Sequence, residues 1–213
     1  MDAAPISRQT CPSLDNLHLL RPVEVNLISL ERALPRWLSA PLATWARGAP
    51  PKFDRILRAP RYDVDRAIRG LPDAARCWLA DDIATLLDRF ARFTKASRLR
   101  VSFGAVSSDQ CKKFHMDYVN YRLVTTYTGP GTEWVPEHAV CRQALKRPAD
   151  CPSEANRAIV RHVSAIRRAG PGDVLVMKGT LHPHGLGAVH RSPPVEATGQ
   201  LRVVLTASTV ESP

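Results

Sequence analysis

Glycine and proline divide the second half of the chain into short β-rich runs, and this division limits the folds open to it. Residues 99–103 alternate apolar and polar side chains, as a half-buried strand does. Three further runs, at 121–128, 173–177 and 201–207, are rich in apolar and β-branched residues. Short strands separated by glycine and proline turns are typical of a sandwich or a jelly roll.

Residues 1–97 have a different pattern, which predicts helices. The clearest helix spans about 73–90, where leucine, isoleucine and phenylalanine share one face. Apolar residues also recur at helical spacing over 27–38, although Pro35 should end or kink that helix. We therefore expect an α+β protein in one compact unit. A helical N-terminal layer, 1–97, would pack on a jelly-roll core (a double-stranded β-helix, cupin-like) at 98–213.

The net charge of +10 raises the question of nucleic-acid binding. The 30 basic residues are spread over the chain, with 17 in residues 1–100 and 13 in 101–213, and no dense basic run occurs. A solvated basic surface is therefore the simpler interpretation. We expect a small-molecule substrate, as yet unknown, rather than nucleic acid.

The cysteines and the apolar segments indicate where the protein works. No apolar run approaches the ~20 residues needed to cross a bilayer, and no signal-peptide pattern begins the sequence. The five cysteines are an odd number without a C-x-x-C pair, which argues against a disulfide framework and a zinc ribbon. We expect a cytoplasmic protein with reduced thiols and no membrane partner. The oligomeric state has no signal in the sequence.

The triplet formed by His115, Met116 and Asp117 is the sharpest local feature of the sequence. On extended backbone, residues i and i+2 point to the same side, so the imidazole and the carboxylate can converge on one point. They would supply two ligands of a 2-His-1-carboxylate Fe(II) site. With 7 His and 13 Asp, chance alone yields about 0.4 such triplets. A third ligand is therefore needed to support the metal site, and a structural hydrogen-bonded pair is the alternative.

Three histidines downstream are candidates for the third ligand, namely His182, His184 and His190. Arg202 follows His190 by twelve residues and begins the last β-rich run. A guanidinium there can bind the carboxylate of a co-substrate through two parallel hydrogen bonds. His184 precedes Arg202 by eighteen residues, so the two histidines differ in their spacing from this arginine.

The order of H-x-D, a distal histidine and an arginine about a dozen residues later resembles the 2-oxoglutarate-dependent oxygenase superfamily. The resemblance implies Fe(II) and 2-oxoglutarate as cofactors. The metal would be bound by His115, Asp117 and His190, with no catalytic residue separate from these ligands. The co-substrate would be bound by Arg202, assisted by Tyr127 or Arg122. The expected activity is that of a metal-dependent oxygenase.

At a closer level the chain resembles bacterial domain-of-unknown-function family 1826 over residues 112–206. The resemblance is carried by KFHMD at 113–117, TYTGPGTEW at 126–134, GDV at 172–174 with KG at 178–179, and HRSPP at 190–194. The genes of this family often lie among those for zinc limitation, which implies zinc as a rival metal. The alternative function is therefore a zinc-binding, non-catalytic protein of metal homeostasis. His182 or His184 would then fill the open coordination positions, because structural zinc sites are closed.

Overall fold

The computed structural model describes residues 8–10 as backbone, 13–148 and 151–210, and it contains two β-sheets. The strands are Arg8–Thr10 (β1), Leu27–Leu30 (β2), Phe53–Arg58 (β3), Arg98–Val106 (β4), Tyr121–Thr128 (β5), Glu133–Val135 (β6), Arg167–Arg168 (β7), Val174–Lys178 (β8), Val189–Arg191 (β9) and Arg202–Thr209 (β10). The α-helices are Ser39–Arg47 (α1), Asp73–Thr94 (α2), Arg142–Leu145 (α3) and Pro152–Ile159 (α4).

The larger sheet has seven strands in the order β1-β2-β8-β5-β10-β4-β3. The pair β1 and β2 is parallel, and the other neighbouring pairs are antiparallel. The smaller sheet has the order β7-β6-β9 and is antiparallel. The protein is thus a mixed α and β structure built on antiparallel sheets.

Helix α2 packs on one face of the larger sheet because its apolar residues follow helical spacing. The side chains of Leu79, Ile83, Leu86, Leu87 and Phe90 are each at most 1% exposed. They share one core cluster with residues of β4, β5 and β10. Burial of each such side chain contributes about 1.5–3 kcal/mol relative to exposure. The helix predicted over 73–90 is therefore confirmed, and it continues to Thr94.

The opposite face of the larger sheet meets the smaller sheet along only part of its area. Val124, Leu175 and Met177 of the larger sheet form one buried cluster with Trp134 and Ala188. Beside this cluster, the same face of β4, β5 and β10 is left uncovered and lines a cavity of about 380 Å³. The fold therefore places a cavity between the two sheets.

The N-terminal region is not purely helical, which corrects the expectation from the sequence. It contributes β1, β2 and β3 to the same sheet as β5 and β10. The leucines of β2 resembled a helix because Leu27 and Ile28, which point to opposite faces, are both buried and give no alternation. Within the segment 27–38, helical structure starts only after Pro35, with a 3-10 turn at Arg36–Leu38 that leads into α1. A layer boundary at 97/98 is therefore not seen.

The four β-rich runs of the second half correspond to strands β4, β5, β8 and β10. Each predicted run differs from its strand by at most a few residues, as expected for strand ends. In the part of the chain that the structure describes, no helix combines the length and the apolar character needed to span a bilayer.

Candidate metal centre

A backbone bridge brings two of the predicted ligands together. His115 lies opposite His190 of β9, and each residue donates its N–H to the carbonyl oxygen of the other at 3.0 Å. Residues that exchange both hydrogen bonds in an antiparallel pair point their side chains to the same face. The two imidazole rings accordingly lie with their centroids 4.7 Å apart.

The carboxylate of Asp117 completes the group. Its Oδ1 lies 3.6 Å from Nε2 of His115, and its Oδ2 lies 3.2 Å from Nε2 of His190. One donor atom from each of the three residues lies within 4.8 Å of the other two. The structure therefore brings together the three residues that the sequence predicts as ligands.

Both imidazoles are oriented by backbone carbonyl groups. Nδ1 of His115 lies 3.0 Å from the carbonyl oxygen of Lys113, and Nδ1 of His190 lies 3.2 Å from that of Ala188. In the neutral ring Nδ1 is then the donor, which leaves the lone pair on Nε2, the atom that faces Asp117. Metal-binding histidines are usually held in this way by their second nitrogen.

Interactions among these side chains shift the pKa values of His115 and Asp117 strongly. Burial lowers the pKa of His115, but hydrogen bonding to Asp117 and Cys111 outweighs burial and raises it to about 10. Burial raises the pKa of Asp117, yet its bonds to both histidines and the charge of Arg122 bring it well below its usual range. Nε of Arg122 also donates to Oδ2 of Asp117 at 2.8 Å. A proton on His115 therefore occupies the place that a cation would take.

Arg142, in α3, contacts the segments that carry the candidate ligands. This residue was not identified from the sequence. Its guanidinium pairs with Glu137 and donates to the carbonyl oxygens of Leu186 and Gly187, each at 2.8 Å. It also contacts Sδ of Met116, the residue between two of the candidate ligands. Arg142 thus ties the H-x-D segment to the loop that leads into β9. Nothing in the local sequence signals this role, because Met116, Leu186 and Gly187 lie 26, 44 and 45 residues away in the chain.

Arg202 lies in the lining of the same cavity as the three candidate ligands. It is 3% exposed, and it donates to the carbonyl oxygen of Pro130 at 2.6 Å and to Oγ1 of Thr126 at 3.3 Å. No carboxylate of the described residues forms a salt bridge with it, since the nearby Glu133 pairs with other arginines. Burial lowers its pKa to about 10, so the guanidinium remains charged at neutral pH. The cavity therefore contains a buried cation that forms no salt bridge with a carboxylate of the described residues.

Tyr127 does not reach this cavity, which corrects its predicted role. Alternation along β5 directs it toward α2, whereas Arg122 and Val124 face the cavity. Its hydroxyl donates to Oδ2 of Asp82 at 2.6 Å, and burial raises its pKa well above the usual value. Tyr127 is therefore part of the core under the sheet.

His182 and His184 also lie apart from the three candidate ligands. Nε2 of His182 lies 2.7 Å from the hydroxyl oxygen of Tyr121, and neither histidine lines the cavity. The ring centroids of the two histidines are 6.1 Å apart. The closed zinc site expected with one of these residues is not formed in this structure.

Solved structures resemble this chain at low sequence identity. The chain is 8% identical to dioxygenase for auxin oxidation 1 from Arabidopsis thaliana, solved with 2-oxoglutarate, with a TM-score of 0.50. The match covers 88% of this chain and 84% of that chain. A prolyl-4-hydroxylase of Pseudomonas putida is 14% identical, with a TM-score of 0.48 and coverage of 95% and 96% of the two chains.

The family is shown by sequence. No curated protein matches the chain. The profile of one protein family does match it, over residues 13–207, and its description is "Protein of unknown function (DUF1826)". This match extends well beyond the segment 112–206 on which the sequence motifs lie. The chain belongs to the DUF1826 family.

Proposed function

We propose that this protein is an Fe(II)- and 2-oxoglutarate-dependent oxygenase on a jelly-roll core. His115, Asp117 and His190 would bind the metal, and Arg202 would bind the distal carboxylate of 2-oxoglutarate. The observation that carries the proposal is Arg202 itself, a buried cation that lacks a carboxylate partner among the described residues and lines the cavity of the three donors.

The residues present fit the proposed metal. Two imidazole nitrogens and one carboxylate oxygen form the donor set of non-haem Fe(II) oxygenases, and they leave coordination positions open. The three donor residues line a cavity of about 380 Å³, within the usual size of small-molecule sites. Bound Fe(II) and 2-oxoglutarate would supply the oxidising chemistry. The protein supplies donors, orientation and charge.

Arg122 has a different role in this proposal from the one expected from the sequence. It lines the cavity, but its Nε donates to Asp117 at 2.8 Å. We therefore assign it to orienting the carboxylate ligand. Two hydrogen-bond donors of Arg202 are used by Pro130 and Thr126, and the remaining N–H groups are available to a co-substrate carboxylate.

An anaerobic titration of the full-length protein with Fe(II) and 2-oxoglutarate tests the proposal. We expect a weak visible charge-transfer band and, after air is admitted, release of succinate. Arg202→Met should weaken 2-oxoglutarate binding at least about tenfold, because a charge-assisted pair contributes about 1.5–3 kcal/mol. The exposed Arg161→Met is the matched control and should change nothing. If metal binds but neither band nor succinate appears, the oxygenase proposal is refuted.

A zinc-binding, non-catalytic protein is the second candidate, and the position of Cys111 favours it. This thiol lines the cavity and hydrogen-bonds His115, which lowers the pKa of Cys111. A rotation of Cys111 toward the three donors would close a four-coordinate zinc site. Metal analysis of protein produced without added iron tests this candidate. Loss of zinc in Cys111→Ser, with no loss in a His182→Ala/His184→Ala variant, would favour it over the oxygenase.

A further inference from the structure

The cavity continues past the candidate metal centre across the uncovered face of the larger sheet. There its floor is polar and is formed by β4, β10 and the start of β3. We name as the polar floor the residues Lys52, Asp54, Arg100, Ser102, Thr206 and Ser208. The register places Ser208 opposite Arg100 on one side and Arg122 on the other, so the floor begins beside the arginine that holds Asp117.

The hydroxyl groups of the polar floor have no hydrogen-bond partner among the described residues. Ser208 is 4% exposed, yet its side chain forms no hydrogen bond with any residue that the structure describes, and the same holds for Ser102 and Thr206. A buried hydroxyl without a partner costs about 1–3 kcal/mol. Because these hydroxyls line a cavity, a polar ligand entering it can satisfy them.

The cavity lining carries more cations than carboxylates. Its cations are Lys52, Arg100, Arg122, Arg191 and Arg202, and its carboxylates are Asp54 and Asp117. Arg191 is neutralised by Glu133 at 2.8 Å. A divalent metal and the dianion 2-oxoglutarate would cancel each other, so an excess of two positive charges remains. The field in the cavity therefore favours an anionic ligand.

The cations of the floor are placed to face such a ligand. Arg100 donates from Nε and Nη2 to the carboxylate of Asp54 at 3.0 and 3.2 Å, which fixes its guanidinium and leaves Nη1 unused. Lys52 lies over Gly104, where a Cβ atom would be 3.5–3.6 Å from the Cα and Cγ of the lysine. Lys52 thus lies against the floor at Gly104, and its charge acts on Asp54 together with that of Arg100.

We propose that the polar floor is the primary-substrate site and that it binds a small molecule bearing an oxyanion, either a carboxylate or a phosphate. Lys52 and Arg100 neutralise the oxyanion, and the hydroxyls of Ser102, Thr206 and Ser208 donate hydrogen bonds to it. This inference rests on the proposed function, because the site is a substrate site only if oxidation takes place at the adjacent metal.

The test follows backbone amide chemical shifts of the full-length protein at constant ionic strength. Inorganic phosphate is the probe in one arm and propionate in the other, both on metal-free protein and on protein loaded with Zn(II) and 2-oxoglutarate. We expect saturable shifts at Ser102, Thr206 and Ser208 in both forms of the protein. The probe that binds more tightly identifies the oxyanion as phosphate or carboxylate.

One variant is expected to weaken probe binding and another to strengthen it, which distinguishes an effect on binding from a folding defect. Lys52→Gln/Arg100→Gln should weaken binding of the tighter probe at least about tenfold, because two nearby charges are removed. Asp54→Asn should tighten it about threefold, because Arg100 loses its competing anion. Arg36→Gln/Arg66→Gln removes two exposed arginines outside the cavity lining and should leave the affinity unchanged.

Ser208→Ala tests the buried hydroxyl separately. It should weaken probe binding several-fold without lowering the melting temperature, because the lost hydroxyl has no partner among the described residues. Absent shifts, shifts confined to the surroundings of Arg202, or equal affinities in wild type and the Lys52/Arg100 double variant would overturn the inference. Floor shifts without any 2-oxoglutarate response near Arg202 would instead refute the oxygenase proposal and leave an anion site.

Discussion

Metal binding at the candidate site should release about one proton at neutral pH, and this release comes from His115. In the metal-free protein the pKa of His115 is raised to about 10, because its bonds to Asp117 and Cys111 outweigh burial. A histidine must be neutral to bind a metal. Addition of a divalent metal should therefore displace the proton of His115 into solution.

The size of the release distinguishes His115 from an ordinary histidine. With a pKa of about 10, the imidazole is almost fully protonated from pH 6 to pH 8. It should therefore release about one proton per metal throughout this range. A histidine with a pKa near 6.5 would release about a quarter of a proton at pH 7 and about 0.03 at pH 8. Because one proton is displaced for each metal bound, metal affinity should rise tenfold per pH unit, which is about 100-fold between pH 6 and pH 8.

Calorimetry with Mn(II) in buffers of different ionisation enthalpy measures this release. Mn(II) is preferable to zinc, because zinc lowers the pKa of its bound water to about 7 and would release a proton of its own. Histidine proton NMR of the metal-free protein, assigned with a His115→Gln variant, gives the pKa directly. A release that falls toward zero at pH 8, or a His115 pKa near 6.5, would refute the reasoning about this ion pair.

Three further predictions concern the surroundings of the site. Arg142→Lys should weaken Mn(II) binding about 10–100-fold, as expected for a group that positions ligands. The control Arg147→Gln, at an exposed position, should leave Mn(II) binding unchanged. Competition with a metal indicator measures the affinity of both variants. Tyr127→Phe should lower the free energy of unfolding in urea by about 2 kcal/mol, through loss of a buried bond to a carboxylate, with an unchanged Kd for 2-oxoglutarate. His182→Ala/His184→Ala should retain the metal content of the wild type, and a loss of metal would restore these histidines as ligands.

The sequence predicted His115 and Asp117 because their signal is local, and it predicted His190 through the resemblance to the oxygenase superfamily. His115 and Asp117 lie two residues apart on extended backbone, and Arg202 begins a strand whose alternation is visible in the sequence. The face of the sheet on which each residue of β5 lies was harder to predict. Tyr127 and Arg122 lie on the same strand, but their separation by an odd number of residues puts them on opposite faces. Only knowledge of which face bears α2 decides between them.

Parts of the fold were not predictable because tertiary contacts overrode local pattern. Strand β2 is buried on both faces, so its leucines show no period of two, and the nearby leucines gave a false helical signal. Arg142 was missed for a related reason. Its partners, Gly187 and Glu137, lie on separate segments, and no spacing rule connects them.

The bridge between His115 and His190 determines when, during synthesis, the proposed metal site can form. The two residues are 75 positions apart, and their mutual hydrogen bonds form only after the ribosome has released the chain as far as β9. Because domains fold as units during or after translation, a nascent chain that ends before residue 189 holds only His115 and Asp117. Two donors alone do not make the three-ligand site. A metal at this site would therefore be bound only after β9 has been synthesised, and its retention would report that the two distant segments have paired.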